Sequence, residues 1–262
     1  MDGEAVLVTI EGSVARLTLN RAAIHNAFDD SLIVALTARL RELDANGQVR
    51  VVVLAANGKS FSAGADLNWM KRMASYSEAE NLRDAVALAD LMHTLSTMSK
   101  PSVARVHGPA YGGGVGLVAC CDIAVGTPAA SFSLSEVRLG LIPAVISPHV
   151  VAAIGERQAR RYFQTAERFD AAQALRIGLL HEVVDEAELD ARIGEMVGHL
   201  LKGGPKSQTE AKRLIEAVTN RPIDRALVED TAERIARIRV TPEGREGVAA
   251  FLEKRTPAWV PK

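Results

Sequence analysis

Residues 101–143 read PSVARVHGPAYGGGVGLVACCDIAVGTPAASFSLSEVRLGLIP. The apolar segment Val103 to His107 predicts a strand, and the small-residue segment Val115 to Cys121 predicts a helix; Gly112-Gly113-Gly114 joins them. Such a junction exposes backbone amides. The first N–H groups of a helix lack internal partners and carry positive partial charge, and glycine lets a ligand oxygen come close to them. A turn that only packs is the alternative. No Gly-Lys-Ser/Thr follows, which excludes a nucleotide-hydrolase phosphate cradle, and the late position argues against a GxGxxG dinucleotide fingerprint. An amide site awaiting an anion remains.

Moving outward, Val49 to Ala55 is a nearly continuous β-branched run, as expected of a strand covered on both faces, and a second glycine loop follows it from Asn57 to Asp66. Ala5 to Ile10 and Val14 to Leu19 alternate around Glu11-Gly12-Ser13 and predict a hairpin. Asp29 or Asp30 caps a helix with Leu32, Ile33, Leu36, Leu40 and Leu43 at helical spacing. Ser77 and Glu80 form a capping box, starting a helix that carries Leu82, Val86, Ala89, His93 and Leu95. His93 reads as its polar edge rather than as a catalytic group. Alternating strands and helices imply a parallel sheet, whose ligand crevice lies beyond the carboxyl ends of the strands. The two glycine loops should therefore open on the same side. Past Pro143 the pattern turns helical, with segments Val150 to Ile154, Arg157 to Thr165, Ala171 to Ile177, Leu189 to Leu201, Lys206 to Val218 and Ala226 to Ile238. Gly203-Gly204-Pro205 marks a boundary between an α/β core, residues 1–200, and a helical C-terminal region, residues 201–262.

The 262 residues can bury a real core. With 31 basic and 32 acidic residues the net charge is -1, which argues against broad nucleic-acid binding. The cysteines, Cys120 and Cys121, are adjacent in an apolar run and cannot build a disulfide framework, so a reducing compartment is expected. No signal peptide or membrane-spanning stretch is evident, and the expected location is cytoplasmic.

Chemistry is narrowed by what is missing: no GxSxG elbow, no HExxH and no metal-ligand cluster, so no metal site is expected. Two amide-rich loops on one crevice suggest an oxyanion hole, in which N–H groups stabilise charge developing on a carbonyl oxygen. Glu136, between apolar residues in Phe132-Ser133-Leu134-Ser135-Glu136-Val137, is the candidate acid or base, because partial burial would raise its pKa. A surface glutamate at a turn is the alternative. Trp69, just after the first loop, reads mainly as packing, with an acyl-pocket wall as its other role.

Phe61-Ser62-Ala63-Gly64-Ala65-Asp66-Leu67, His107-Gly108 to Gly112-Gly113-Gly114 with Cys121-Asp122, and Ser135-Glu136 to Gly140-Leu141-Ile142-Pro143 closely resemble the enoyl-CoA hydratase/isomerase, or crotonase, superfamily. The resemblance extends over Asn20-Arg21, His25-Asn26-Ala27, Ala171 to Gly178, Val183-Val184, Ala211-Lys212 and Phe251 to Arg255, in order along nearly the whole chain. It implies a crotonase-like ββα-repeat spiral core with a helical C-terminal trimerisation region, and a homotrimer or dimer of trimers. The backbone amides of Ala65 and Gly113 would form the oxyanion hole for the thioester oxygen of an acyl-CoA. Ala27, Ala63, Ala65, Asp66 and Leu67 would line the coenzyme A surface, and Lys254 would reach a coenzyme A phosphate from a neighbouring subunit. Coenzyme A belongs to the substrate, and no separate cofactor is implied.

Two departures matter. Family hydratases commonly carry one glutamate two residues after the glycine triple and another in the later segment; this chain has Gly116 and Glu136 there. The segment Ala144-Val145-Ile146-Ser147-Pro148-His149-Val150-Val151 replaces the usual glycine-rich continuation and resembles bacterial methylglutaconyl-CoA or carboxygeranoyl-CoA hydratases of leucine and acyclic-terpene breakdown. The leading expectation is hydration of a 2-enoyl-CoA, branched or carboxylated, with Glu136 as general acid/base and Ser135, Asn68 or His149 as a second polar group. A 3-enoyl to 2-enoyl-CoA isomerase using Glu136 alone is the second expectation, and a non-catalytic acyl-CoA- or RNA-binding module the third.

Overall fold

The computed structural model describes residues 4–261; residues 1–3, the opening of the expected core, and residue 262 lie outside it. The first strands, β1 (Val6–Glu11) and β2 (Val14–Leu19), form the predicted antiparallel hairpin, and Gly12 at its turn has a φ of 58°. Asp29, not Asp30, caps α1 (Asp30–Ala45), its carboxylate accepting from the Leu32 amide. The strand β3 (Val51–Ala56) follows, then α2 (Leu67–Met73) and α3 (Glu78–Ser96), the latter opened by the Ser77 and Glu80 capping box. The quoted stretch supplies β4 (Ser102–Val106), β5 (Ala110–Tyr111), α4 (Gly113–Cys120), β6 (Ile123–Gly126) and β7 (Ser131–Ser133). The remainder holds α5 (Ser147–Thr165), β8 (Phe169–Asp170), α6 (Ala171–Arg176), β9 (Glu182–Val183), α7 (Leu189–Lys202), α8 (Pro205–Val218), α9 (Arg225–Arg239) and α10 (Pro242–Leu252).

The main sheet runs β1-β2-β3-β4-β6-β9 and is parallel from β2 onward. Every residue of β3 is buried, because both faces of the sheet are covered. Strand alternation divides the coverage: Val52, Leu54, Ala104 and Ala124 join the large core with the α1 leucines, whereas Val51, Val53, Val103 and Val125 pack on Leu189, Ile193 and Val197 of α7. On α3 the buried residues are Leu91, Met92 and Leu95; Leu82 and Val86 are exposed, so the inward stripe starts later than the spacing predicted.

The hydrophobic pattern alone does not show a second layer; the ββα-repeat core that the family resemblance implies does contain one. After each of the four parallel strands β2, β3, β4 and β6 the chain adds a short extended piece to a second layer: Phe28 bridges Ala65, Ser62 bridges Ala110, and β5 pairs with β7, which pairs with β8. This repeated strand, short strand and helix is the spiral ββα architecture, and it lays the loops after β2, β3 and β4 edge to edge. The two helical segments predicted between residues 150 and 165 are two helical runs of α5, separated by a kink at Gly155, whose φ 76° and ψ 155° are not helical.

The C-terminal helices attach at the other end of the strands. Lys212 on α8 donates to Asp122 Oδ2 at 2.8 Å and to the Lys100 carbonyl at 3.2 Å, just before β6 and β4. Arg50, just before β3, donates to the carbonyls of Gly203 and Trp259 at 2.6 and 2.8 Å. Six residues of β3 separate this clasp from the first glycine loop, about 20 Å of strand.

Candidate active site

Both glycine loops emerge at the carboxyl ends of their strands and touch. A Cβ built on Gly64 would stand 3.1 Å from the Tyr111 carbonyl oxygen and 3.9 Å from Gly112 Cα. The first loop is fixed by the His25-Asn26-Ala27 turn. Asn26 is fully buried with φ 54°; its Oδ1 accepts from the Arg21 amide, and its Nδ2 donates to the carbonyls of Asn57 and Ser60, each at 2.9 Å. The Ala63 amide donates to the His25 carbonyl, and His25 Nδ1 lies 3.0 Å from Ser60 Oγ.

The bridge between Phe28 and Ala65 decides where one amide points. Phe28 donates to the Gly64 carbonyl and Asp66 donates to the Phe28 carbonyl, both at 2.7 Å. In a parallel bridge the intervening residue turns its own N–H to the opposite side. Ala65 N–H accordingly has no acceptor among the described residues. Across the contact, Gly112 carries φ 49° and ψ -119° and precedes α4, so the Gly113 and Gly114 amides occupy the first turn of the helix, without acceptors among the described residues. Gly113 also lies against Phe28: a Cβ there would approach the ring to 3.3 Å.

Glu136 opens a 3-10 turn, Glu136–Leu139, and its Oε1 lies 3.3 Å from where a Cβ of Gly112 would stand. Its Oε2 is buried with no hydrogen-bond partner among the described residues. Burial pushes the carboxyl above the ordinary 4.5, partly countered by a hydrogen bond to its own backbone. Ala65, Gly113 and Glu136 are thus brought together as two free amides and one carboxylate against the glycine triple.

Other predicted residues vary in placement. Ala63, Ala65 and Leu67 are exposed in the first glycine loop, whereas Ala27 is buried. The Asp66 carboxylate is engaged as the cap of α2, accepting from the Asn68 and Trp69 amides. Trp69 is buried and donates its indole N–H to Asp84 on α3, a packing role. Lys254, with φ 56°, follows α10, which packs on α8 and α9. Asn68 is exposed. His149 is half-buried on the first turn of α5, and burial together with nearby His93 lowers its pKa below 6.5. Among the described residues no cluster suited to a metal ion occurs, and no helix is long and apolar enough to cross a membrane.

Gly116 reveals why the second carboxylate is missing. A Cβ there would stand 2.3 Å from Ile146 Cγ2, 3.0 Å from Ile146 Cβ and 3.2 Å from Met92 Cε. The space is already filled by a residue of the segment that departs from the family pattern. Asn26 and Ile146 are the two residues whose importance the sequence did not disclose: the first was visible only as part of a motif, and the second needed a contact across 30 residues.

With this geometry established, comparison assigns the family. The chain matches the enoyl-CoA hydratase/isomerase family over residues 9–262, and it belongs to that family. It is 30% identical to a short-chain-enoyl-CoA hydratase of Clostridium acetobutylicum, over 97% of each chain. It is 29% identical to a 2,3-dehydroadipyl-CoA hydratase of Escherichia coli, over 96% of this chain and 97% of that one. A solved enoyl-CoA hydratase structure from Shewanella pealeana superposes with a TM-score of 0.96 at 46% identity, over 98% of this chain and 96% of that one.

Proposed function

We propose that this protein is an enoyl-CoA hydratase, adding water across the double bond of a 2-enoyl-CoA thioester. The observation that carries the reading is the placement of the two amides of Ala65 and Gly113, without acceptors among the described residues, near the partly buried carboxylate of Glu136. The amides receive the thioester oxygen. Ionised Glu136 takes a proton from water as its oxygen bonds to carbon 3; the alkene electrons move toward the thioester oxygen, and the hole holds the enolate. Glu136 then delivers that proton to carbon 2. Net addition of one water results, and the carboxylate returns to its starting state. Each hole donor should contribute about 100- to 1000-fold in rate. Burial of Glu136 moves its pKa toward the operating pH, where a general base is most effective.

Finer features belong to the same reading. The acyl group is branched or carboxylated, supported by the 144–151 segment and by the 2,3-dehydroadipyl-CoA hydratase relative. Coenzyme A runs over Ala63, Ala65 and Leu67, with backbone contributed near Ala27 and Asp66. Lys254 serves a neighbouring subunit, because the C-terminal helices attach at the far end of this chain's own strands. A homotrimer or dimer of trimers would cover the exposed apolar side chains of α8 to α10. Ser135, Asn68 and His149 are the candidates for a second polar group that holds the water.

The apolar filling beside Gly116 favours a second reading, 3-enoyl to 2-enoyl-CoA isomerisation, in which Glu136 carries one proton from carbon 2 to carbon 4. The purified protein tests both. Hydration predicts loss of enoyl-thioester absorbance from crotonyl-CoA or 3-methylglutaconyl-CoA, and no loss from any 2-enoyl-CoA contradicts it. Isomerisation predicts gain of that absorbance from a 3-enoyl-CoA without incorporation of oxygen from labelled water.

A further inference from the structure

We infer that residues 116 and 146 form a size-coupled pair that fixes the number of acid–base groups at this site. The inference rests on the proposed hydratase reading for its catalytic consequence and on packing alone for the coupling. On α4, position 116 is three residues beyond Gly113, on the same helix face. Helix side chains tilt back toward the N-terminus, so a side chain at 116 would project toward the hole. Cβ positions three apart on a helix are about 5–6 Å from each other. Ile146 Cγ2 therefore stands under the hole, within about 8 Å of Gly113.

This volume is closed and apolar. Ile146 is 3% exposed and Met92 0%, Gly116 is itself buried, and Cys120 Sγ lies 3.7 Å from Met92 Sδ behind them. The methyl contact at 2.3 Å is not one that a terminal rotation relieves, because the branched Ile146 Cβ is itself 3.0 Å away and β-branching stiffens χ1. A side chain at 116 thus requires a small residue at 146. With isoleucine present, α4 supplies no group to the reacting carbons, and Glu136 is left as the single carboxylate.

Two arms test the pair. The first uses no substrate, so failure of the hydratase reading cannot affect it. Gly116→Ala should lower the Tm of the wild type by roughly 4–8 °C through overpacking, and should not lower the Tm of Ile146→Ala. The same loss in both backgrounds overturns the coupling. The second arm compares Gly116→Glu/Ile146→Gly with the wild type. Its kcat/KM profile for crotonyl-CoA should gain a second ionisation and its hydration rate should rise at least tenfold, whereas Gly116→Glu alone should lose folded protein. A folded Gly116→Glu protein with wild-type Tm, or a double variant retaining a single ionisation, contradicts the inference.

Discussion

The Oε2 of Glu136, without a partner among the described residues, is a cost accepted at one residue: burial of that oxygen disfavours the charged form of the carboxyl. With its folded pKa raised above 4.5, Glu136 holds its proton more tightly in the folded state, so its contribution is favourable at low pH and is lost as pH rises through the raised value. Glu136→Gln should therefore raise the Tm at pH 8, with the gain vanishing near pH 4, as thermal melts across that range would record. In the wild type, the acid limb of kcat/KM should fall at a pH above 4.5, where the base becomes protonated. Gly112 has the opposite character, being indispensable for conformation. Its φ of 49° with ψ -119° suits only glycine, and a methyl would meet Glu136 Oε1 at 3.3 Å. Gly112→Ala should cost about 1–3 kcal/mol of stability by denaturant titration and displace the carboxylate. The cysteines stand apart from the chemistry: both are buried, and burial with the adjacent Asp122 pushes Cys121 up to about 12. Neither should react with a thiol reagent until the protein unfolds.

Among the elements, the quoted stretch was legible because each part has a local cause. Glycines without side chains mark the turn, β-branched residues mark β4, and small residues start α4. The capping box of α3 was readable from Ser77 and Glu80 alone, since it links residues three apart. The short strands of the second layer were not legible: two or three residues carry no periodicity, and their pairing depends on where the spiral returns them. Nor could sequence show that Asn26 welds the 21–28 turn to the first glycine loop, because its three side-chain hydrogen bonds reach residues 5, 31 and 34 positions away. Asn26→Ala should leave the buried Ser60 carbonyl without its donor. We expect a loss of about 1–3 kcal/mol and a drop in hydration through a loosened Ala65, measured by denaturant titration and initial rates.

At the scale of the whole molecule, α/β alternation and the helical ending were visible as a change of period, whereas the attachment of that ending was not. Lys212, Arg50 and Thr209 fasten α8 and the C-terminal tail to the amino ends of the strands. The two glycine loops lie at the carboxyl ends. This separation leaves large apolar side chains uncovered in the C-terminal region, including Phe251 at 82% exposure and Ile223 at 90%. A neighbouring subunit would explain them. Phe251→Glu should then reduce the mass seen by analytical ultracentrifugation, and an unchanged mass would place the interface elsewhere. Hydration as proposed depends on Glu136 acting with the Ala65 and Gly113 amides. Its most direct test is the loss of enoyl-thioester absorbance from crotonyl-CoA, followed for the wild type and Glu136→Gln at equal folded concentration. We predict turnover by the wild type and a rate at least about 1000-fold lower for the variant; equal rates, or no turnover by the wild type of any 2-enoyl-CoA, would contradict it.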